Sequence, residues 1–330
     1  MKLLIVGGTR FLGRHLAAAA VAAGHELTLL HRGRSNPGLF PGVRQLITDR
    51  RRDLSALTGE RWDAVIDTCA YVPRDVTLLA RALADRTARY LLVSTISVYR
   101  DVPPAGVDEG DALATLDDPT TEDVTGQTYG GLKALCEQAA LQRFGSAATL
   151  IARPGLIVGP HDPTERFTWW VRRVHQGGRF VAPAPPAARV QFIDARDLAD
   201  WLLLQAVNGR TGTFNLCGPE LPLTWGDWVA RMVRALRPDA QPCWVDEPAL
   251  LNAGVAPWMG LPLWLPAAEA GLHRATIERA LASGLRTRPL EDTVHDTRAW
   301  ALAQPAPPAG GPGLDPALEA KLLAAHSPAA

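Results

Sequence analysis

An apolar run, Lys2–Val6, breaks at Gly7 and Gly8 and passes through Gly13 into the helical stretch Phe11–Ala23. A strand that turns into a helix through glycine must return by a further strand, so the chain starts on a β-α-β course. The pattern continues. Glu26–Leu30, Val43–Thr48, Ala64–Asp67, Tyr90–Thr95 and Thr149–Ala152 read as strands, and Arg74–Asp85 and Gln127–Phe144 as helices. Several of these strands are apolar without alternation, as expected when helices cover both faces of a sheet.

The fold expected is therefore α/β, a doubly wound parallel Rossmann sheet over residues 1–153 with a smaller, loop-rich C-terminal substrate domain over 154–303. Helices at Thr164–Gln176, Arg196–Ala206 and Thr224–Leu236 and short strands near Val190–Ile193 and Thr213–Leu216 belong to the second part, and some of these strands can rejoin the first sheet. Residues 304–330 form a Pro/Gly linker, Gln304–Gly313, and an amphipathic tail helix, Pro316–His326. Trp169 and Trp170 read as core.

Charge excludes some partners. Basic and acidic residues balance at 34 each, so no nucleic acid and no membrane surface is expected. Cys69, Cys136, Cys217 and Cys243 are scattered and read as reduced thiols of a cytoplasmic protein, with no metal site. The run ending at Val6 is too short for a signal h-region, and Leu16–Ala23 too short to span a bilayer.

The segment Gly7-Gly8-Thr9-Arg10-Phe11-Leu12-Gly13 lies where a dinucleotide pyrophosphate meets a helix N-terminus. Its middle position is Arg10, which cannot offer close backbone approach but can reach a phosphate. The second strand ends His31-Arg32-Gly33-Arg34, without the acid that binds a ribose 2′-hydroxyl. Arg32 and Arg10 can instead clamp a 2′-phosphate, so NADP is expected ahead of NAD. The bland alternative is that Arg32 and Arg34 are a solvated pair.

Tyr129 and Lys133 stand four apart on one face of a helix. A phenol with a pKa near ~10 needs a neighbouring cation to work as an acid–base group at neutral pH. Between Lys2 and Lys321 the chain has a single lysine, and arginine stands nearly everywhere else. Ser94, Thr95 and Ser97, at the end of a strand, are candidate partners for Tyr129 and for a substrate carbonyl.

These residues together resemble the extended short-chain dehydrogenase/reductase family, also called the NAD-dependent epimerase/dehydratase family. GGTRFLG is similar to its glycine loop, STISVY to its Ser/Thr segment and YGGLK to its Tyr–Lys signature. Arg153–Pro160 is similar to its RPxxxxGP segment and Gln191–Ala199 to a later landmark. The resemblance implies Thr95 as the catalytic hydroxyl, Tyr129 as acid/base and Lys133 as its partner and ribose anchor. It further implies Asp49 near the adenine, and Cys69 and Ala70 along the cofactor. GGTRF resembles an atypical subgroup that includes reductases and chloroplast RNA-associated relatives. Val190 replaces an arginine that binds the diphosphate in nucleotide-sugar epimerases.

The leading expectation is an NADPH-dependent reductase of a small carbonyl or alcohol substrate. Pocket walls are expected from Val72, Pro154 (also a cofactor contact), the Pro160–Trp170 segment and the Phe180–Gln191 stretch. His161, Asp162, Arg166 and Gln191 are candidate specificity residues, although His161 and Asp162 read equally as a polar turn before a helix. One alternative is an epimerase that keeps NAD bound. Another is a non-catalytic NADP-binding or RNA-associated scaffold, favoured only by Arg50-Arg51-Arg52, which reads more simply as a solvated loop. A homodimer is the expected assembly.

Overall fold

Leu3, Leu4 and Ile5 have no exposed surface, so β1 (Lys2–Val6) is covered on both faces, as its unbroken apolar sequence requires. The computed structural model describes residues 1–305 and 310–326. The first part runs β1, α1 (Phe11–Ala22), β2 (Glu26–His31), β3 (Arg44–Ile47), β4 (Ala64–Asp67), α2 (Pro73–Leu83), β5 (Tyr90–Val93), α3 (Tyr129–Phe144), β6 (Thr149–Pro154). Then follow β7 (Ile157–Val158), α4 (Arg166–Gln176), β8 (Arg179–Pro183), β9 (Ile193–Asp194), α5 (Ala195–Asn208), β10 (Gly212–Leu216) and α6 (Trp225–Leu236). The chain ends through β11 (Gln241–Val245), α7 (Glu247–Asn252), β12 (Pro257–Trp258), β13 (Leu261–Pro262), α8 (Glu278–Ala282), α9 (Leu290–Leu302) and α10 (Pro316–Ala325).

Seven strands form one parallel sheet in the order β10-β6-β5-β4-β1-β2-β3. This is a doubly wound Rossmann-type sheet, and the order reverses between β1 and β4. A crevice opens at such a switch point, outside the carboxyl ends of the strands. Leu12, Leu16, Ala17 and Ala20 of α1 pack with Leu198, Trp201 and Leu202 of α5 on one face. Val76, Leu79 and Leu83 of α2 pack with Cys136, Ala139 and Ala140 of α3 on the other.

A second core lies beyond β6. Trp170, Trp225 and Trp228 meet with ring centroids 4.9–5.5 Å apart, joined by Phe167 and Phe180. Trp170 is fully buried and its indole N–H donates to the Pro262 carbonyl at 2.8 Å, which satisfies the polar end of the ring. The strand expected at Val190–Ile193 is only the short β9, paired in parallel with β7. The parallel pair β8 and β11 goes unseen in sequence, because each is short, proline-bearing and partnered only by the other.

Arg50 is a correction. Instead of being solvated it is 8% exposed and holds both oxygens of Asp67 at 2.8 and 2.6 Å, while Tyr90 donates to the same carboxylate. Arg51 binds Asp75 at 2.6 and 3.0 Å. Arg50 and Arg51 thus fasten β4 and α2 internally, while Arg51 and Arg52 are exposed, as the solvated-loop reading has them. Residues 306–309 of the expected linker lie outside the described residues. Among the described residues no helix is long and apolar enough to cross a membrane.

Candidate active site

The loop after β1 is shaped by contacts that only glycine allows. Gly7 has φ +98°, and a Cβ there would stand 2.5 Å from Thr68 Oγ1. A Cβ on Gly13 would stand 2.2 Å from the Gly7 carbonyl oxygen, so α1 seats directly against the turn. Thr9 is buried, and its carbonyl accepts from Asn36 Nδ2 at 3.0 Å, which ties this loop to the one after β2. Leu12 faces the core. Arg10 occupies the N-cap of α1 with extended backbone and no side-chain acceptor, and Phe11 follows at φ +39°. The first-turn N–H groups of α1 therefore meet no side-chain cap and no acid, a fit for a pyrophosphate.

His31 Nδ1 accepts from the Gly33 amide at 3.0 Å and Nε2 lies 2.9 Å from Gln45 Oε1, contacts that shape the end of β2. Arg10 and Arg32 are exposed, and neither has an ion pair among the described residues. Asp49 accepts from the Arg51 amide in the turn after β3. At the end of β4, burial pushes the Cys69 thiol up to about 11, which marks it as a packing residue rather than a nucleophile. The Ala70 carbonyl accepts from Lys133. Pro154 closes β6 and is buried.

Tyr129 opens α3, and a Cβ on Gly130 would stand 2.1 Å from the Ser97 carbonyl oxygen. That glycine lets the helix start press against the segment after β5. Of the three candidate hydroxyls, Thr95 is the one whose side chain acts on the Tyr129 phenol, drawing its pKa down, while its Oγ1 donates to Ser97 Oγ at 3.2 Å and accepts from the Ser97 amide at 3.1 Å. Ser94 donates to Glu137 Oε1 instead, and Ser97 is exposed. Lys133 is 3% exposed, and its Nζ donates to the Ala70 and Val93 carbonyls at 2.7 and 2.6 Å, with the Tyr71 ring 5.7 Å away. Burial pushes the Tyr129 phenol above its ordinary range, opposed by the Thr95 side chain and the Arg166 charge. The cation that acts on the Tyr129 phenol is Arg166, while the Lys133 ammonium sits against the Ala70 and Val93 carbonyls.

On the substrate side, Val72 is fully buried at the start of α2. Asp162 is buried and accepts from the Thr164 amide and hydroxyl at 2.8 Å, a turn leading into α4. His161, at φ +69°, packs between His15 and Trp300. Gln191 exchanges hydrogen bonds with the Ala275 backbone at 3.2 and 3.0 Å. Arg166 alone of this group acts on Tyr129.

Sequence reasoning missed the polar support under the site. Glu137 accepts from Ser94 and from Arg153 Nε and Nη2, and Arg153 donates onward to Tyr99 Oη at 3.1 Å. Tyr99 in turn donates to Asn215 Oδ1 at 2.6 Å. One local signal existed: Glu137 follows Lys133 by four residues, on the same helix face.

Residues 3–217 match the NAD dependent epimerase/dehydratase family. The chain belongs to that family. Members and relatives similar to it differ in what they do. The chloroplast stem-loop binding protein of 41 kDa b of Arabidopsis thaliana is 28% identical over 246 residues, 66% of this chain and 59% of that one. The 2-alkyl-3-oxoalkanoate reductase of Stenotrophomonas maltophilia is 29% identical over 227 residues, 63% of this chain and 66% of that enzyme. The 2′-dehydrokanamycin reductase of Streptomyces kanamyceticus is 26% identical over 247 residues, covering 72% and 67%. The first of these relatives is matched over less than two thirds of its length. UDP-glucuronic acid 4-epimerase from Bacillus cereus, solved with NAD, superposes with a TM-score of 0.66 at 16% identity over 92% of this chain and 99% of that one. UDP-N-acetylglucosamine 4-epimerase from the same organism gives 0.64 at 17% identity, over 93% and 100%. At such identities the epimerase/dehydratase fold is what is shared.

Proposed function

We propose that this chain is an NADPH-dependent reductase of a small carbonyl substrate, with Tyr129 as proton donor. The observation that carries the reading is the start of α3 pressed against the segment after β5, which brings the Tyr129 phenol under the influence of Thr95 beside the buried Lys133. A nicotinamide dinucleotide would rest on the Gly7–Gly13 loop, with Arg10 and Arg32 at a 2′-phosphate, and supplies the hydride when bound. Thr95 holds the substrate oxygen by its hydroxyl. Tyr129 gives that oxygen a proton as charge develops on it. Because burial raises the Tyr129 pKa, the phenol keeps its proton at neutral pH, which favours reduction over oxidation. Lys133 would contribute a hydrogen bond to the nicotinamide ribose. The two reductases among the relatives support the same reading.

An epimerase with retained NAD is the second reading, favoured by the family of the chain and by the same Thr–Tyr–Lys set. Titrating the purified protein with NADPH and NADH separates the two. Much tighter NADPH binding, with NADPH oxidised in the presence of a ketone panel, is the expected result. Copurified, tightly held NAD and no net NADPH oxidation overturn the reductase in favour of the epimerase.

A further inference from the structure

Arg166 is flanked rather than paired. Its guanidinium carbon stands 5.0 Å from the centre of the Trp258 ring, and its Nε donates to Thr164 Oγ1 at 3.3 Å. Among the described residues it has no ion pair within 4.0 Å. The nearby acid, Asp162, has both carboxylate oxygens engaged by Thr164, at 2.8–2.9 Å. Arg50, Arg153 and Arg173 are treated differently: each holds a carboxylate through two hydrogen bonds. A guanidinium keeps its charge at any working pH, and Arg166, half-buried and without a paired carboxylate among the described residues, leaves its donors open to an anion.

Two further features point the same way. The Arg166 charge is felt at the Tyr129 phenol, so one small molecule can lie against both. Trp258 has φ +66°, an uncommon conformation for a bulky residue, and its amide donates to the Trp264 carbonyl at 2.8 Å. Strain of this kind persists where the surroundings enforce it, and here it lays an indole over the guanidinium.

We propose that Arg166, shielded by Trp258, binds a carboxylate of the substrate, so that the molecule handled at Tyr129 is an oxo acid and the product a hydroxy acid. The planar guanidinium matches a carboxylate bidentately, and the indole keeps water from one face of the pair. The oxo-acid assignment rests on the reading of Tyr129 as proton donor; the carboxylate site itself does not.

The test compares 3-oxooctanoate with its methyl ester as substrates in NADPH oxidation, and octanoate with octanol as calorimetric ligands in the presence of NADP. Arg166→Gln is expected to raise the ratio of KM for the acid to KM for the ester roughly 30-fold, the loss of a charge-assisted pair, while any change in kcat that acts through Tyr129 is common to both. Arg166→Lys should recover part of the loss and Trp258→Phe should cause a smaller one. Equal effects on acid and ester, or octanoate binding unaltered in Arg166→Gln, overturn the proposal. If neither oxo compound is reduced but octanoate binding is still lost in Arg166→Gln, the carboxylate site stands and the reductase reading falls.

Discussion

Arg153 at the end of β6 grips both oxygens of Glu137 on α3, at 3.0 and 2.7 Å, and the hydroxyl of Ser94 donates to the same carboxylate. Their side chains are 5% and 2% exposed. The pair locks the helix that carries Tyr129 to β6, and Ser94 ties the same carboxylate to the end of β5 that carries Thr95. Breaking one side leaves a buried charge, at a cost of about 3–5 kcal/mol. Arg153→Leu should therefore lower the urea midpoint sharply, whereas Glu137→Gln, which keeps the shape, should cost less stability. An unchanged midpoint in Arg153→Leu would show that the pair is dispensable.

The pH profile of Tyr129 has a defined sign. Burial pushes its phenol above the ordinary range, so in the proposed role of proton donor Tyr129 keeps its proton through neutral pH. The reductive rate should be flat there and fall only on the alkaline side, while the oxidative rate climbs as the phenolate forms. Arg166→Gln removes a charge that favours the phenolate and should move both limbs to higher pH. Tyr129→Phe should lose roughly 10²–10⁴ in kcat while binding NADPH normally. Limbs that ignore both substitutions would assign the titration to another group.

The proposed 2′-phosphate clamp can be tested at Arg32 without touching the chemistry. Arg32→Ala should weaken NADPH about 10-fold or more, as expected for a charge-assisted phosphate contact, and leave NADH affinity as it was. Arg10→Ala should act in the same direction. Fluorescence titration of each variant with both nucleotides is the measurement, and parallel losses for the two would remove the 2′-phosphate clamp.

His161 gives the fold an acid-sensitive element. Burial, with the Arg14 and His15 charges, pulls its pKa down to about 4. The unfolded chain binds this proton more readily, with a pKa near ~6.5, so the contribution is full above that pH and is lost as pH falls toward 4. His161→Asn, which tolerates the positive φ, should flatten the fall of Tm over that window. Parallel wild-type and variant curves would place the acid sensitivity elsewhere, with His15 the next group to replace.

What sequence revealed and what it hid divide along chain distance. The β1–α1 turn is legible because Gly7 and Gly13 are six apart and the geometry that needs them is local. Tyr129 and Lys133 are legible for the same reason. Glu137–Arg153 and Arg50–Asp67 join different elements, and an isolated Arg gives no hint that it will be buried; Arg50 even sits in a run that mimics a solvated loop. The substrate side was least legible. Arg166 and Trp258 are brought together by packing across much of the second half, and nothing in the local pattern around Trp258 marks it.

Strand β10 lies outside β6, and α5, which precedes it, covers the same face as α1. The nucleotide half is therefore finished by chain that arrives after the substrate-side elements α4 and β8 have been made. A piece cut at residue 153 would leave the edge of β6 bare and Leu12 and Leu16 without their cover. During synthesis the sheet cannot close until residue 216 has left the ribosome. The chain between β6 and β10 therefore cannot be cut away as a separate piece: it carries the helix that covers α1 and leads into the strand that closes the sheet.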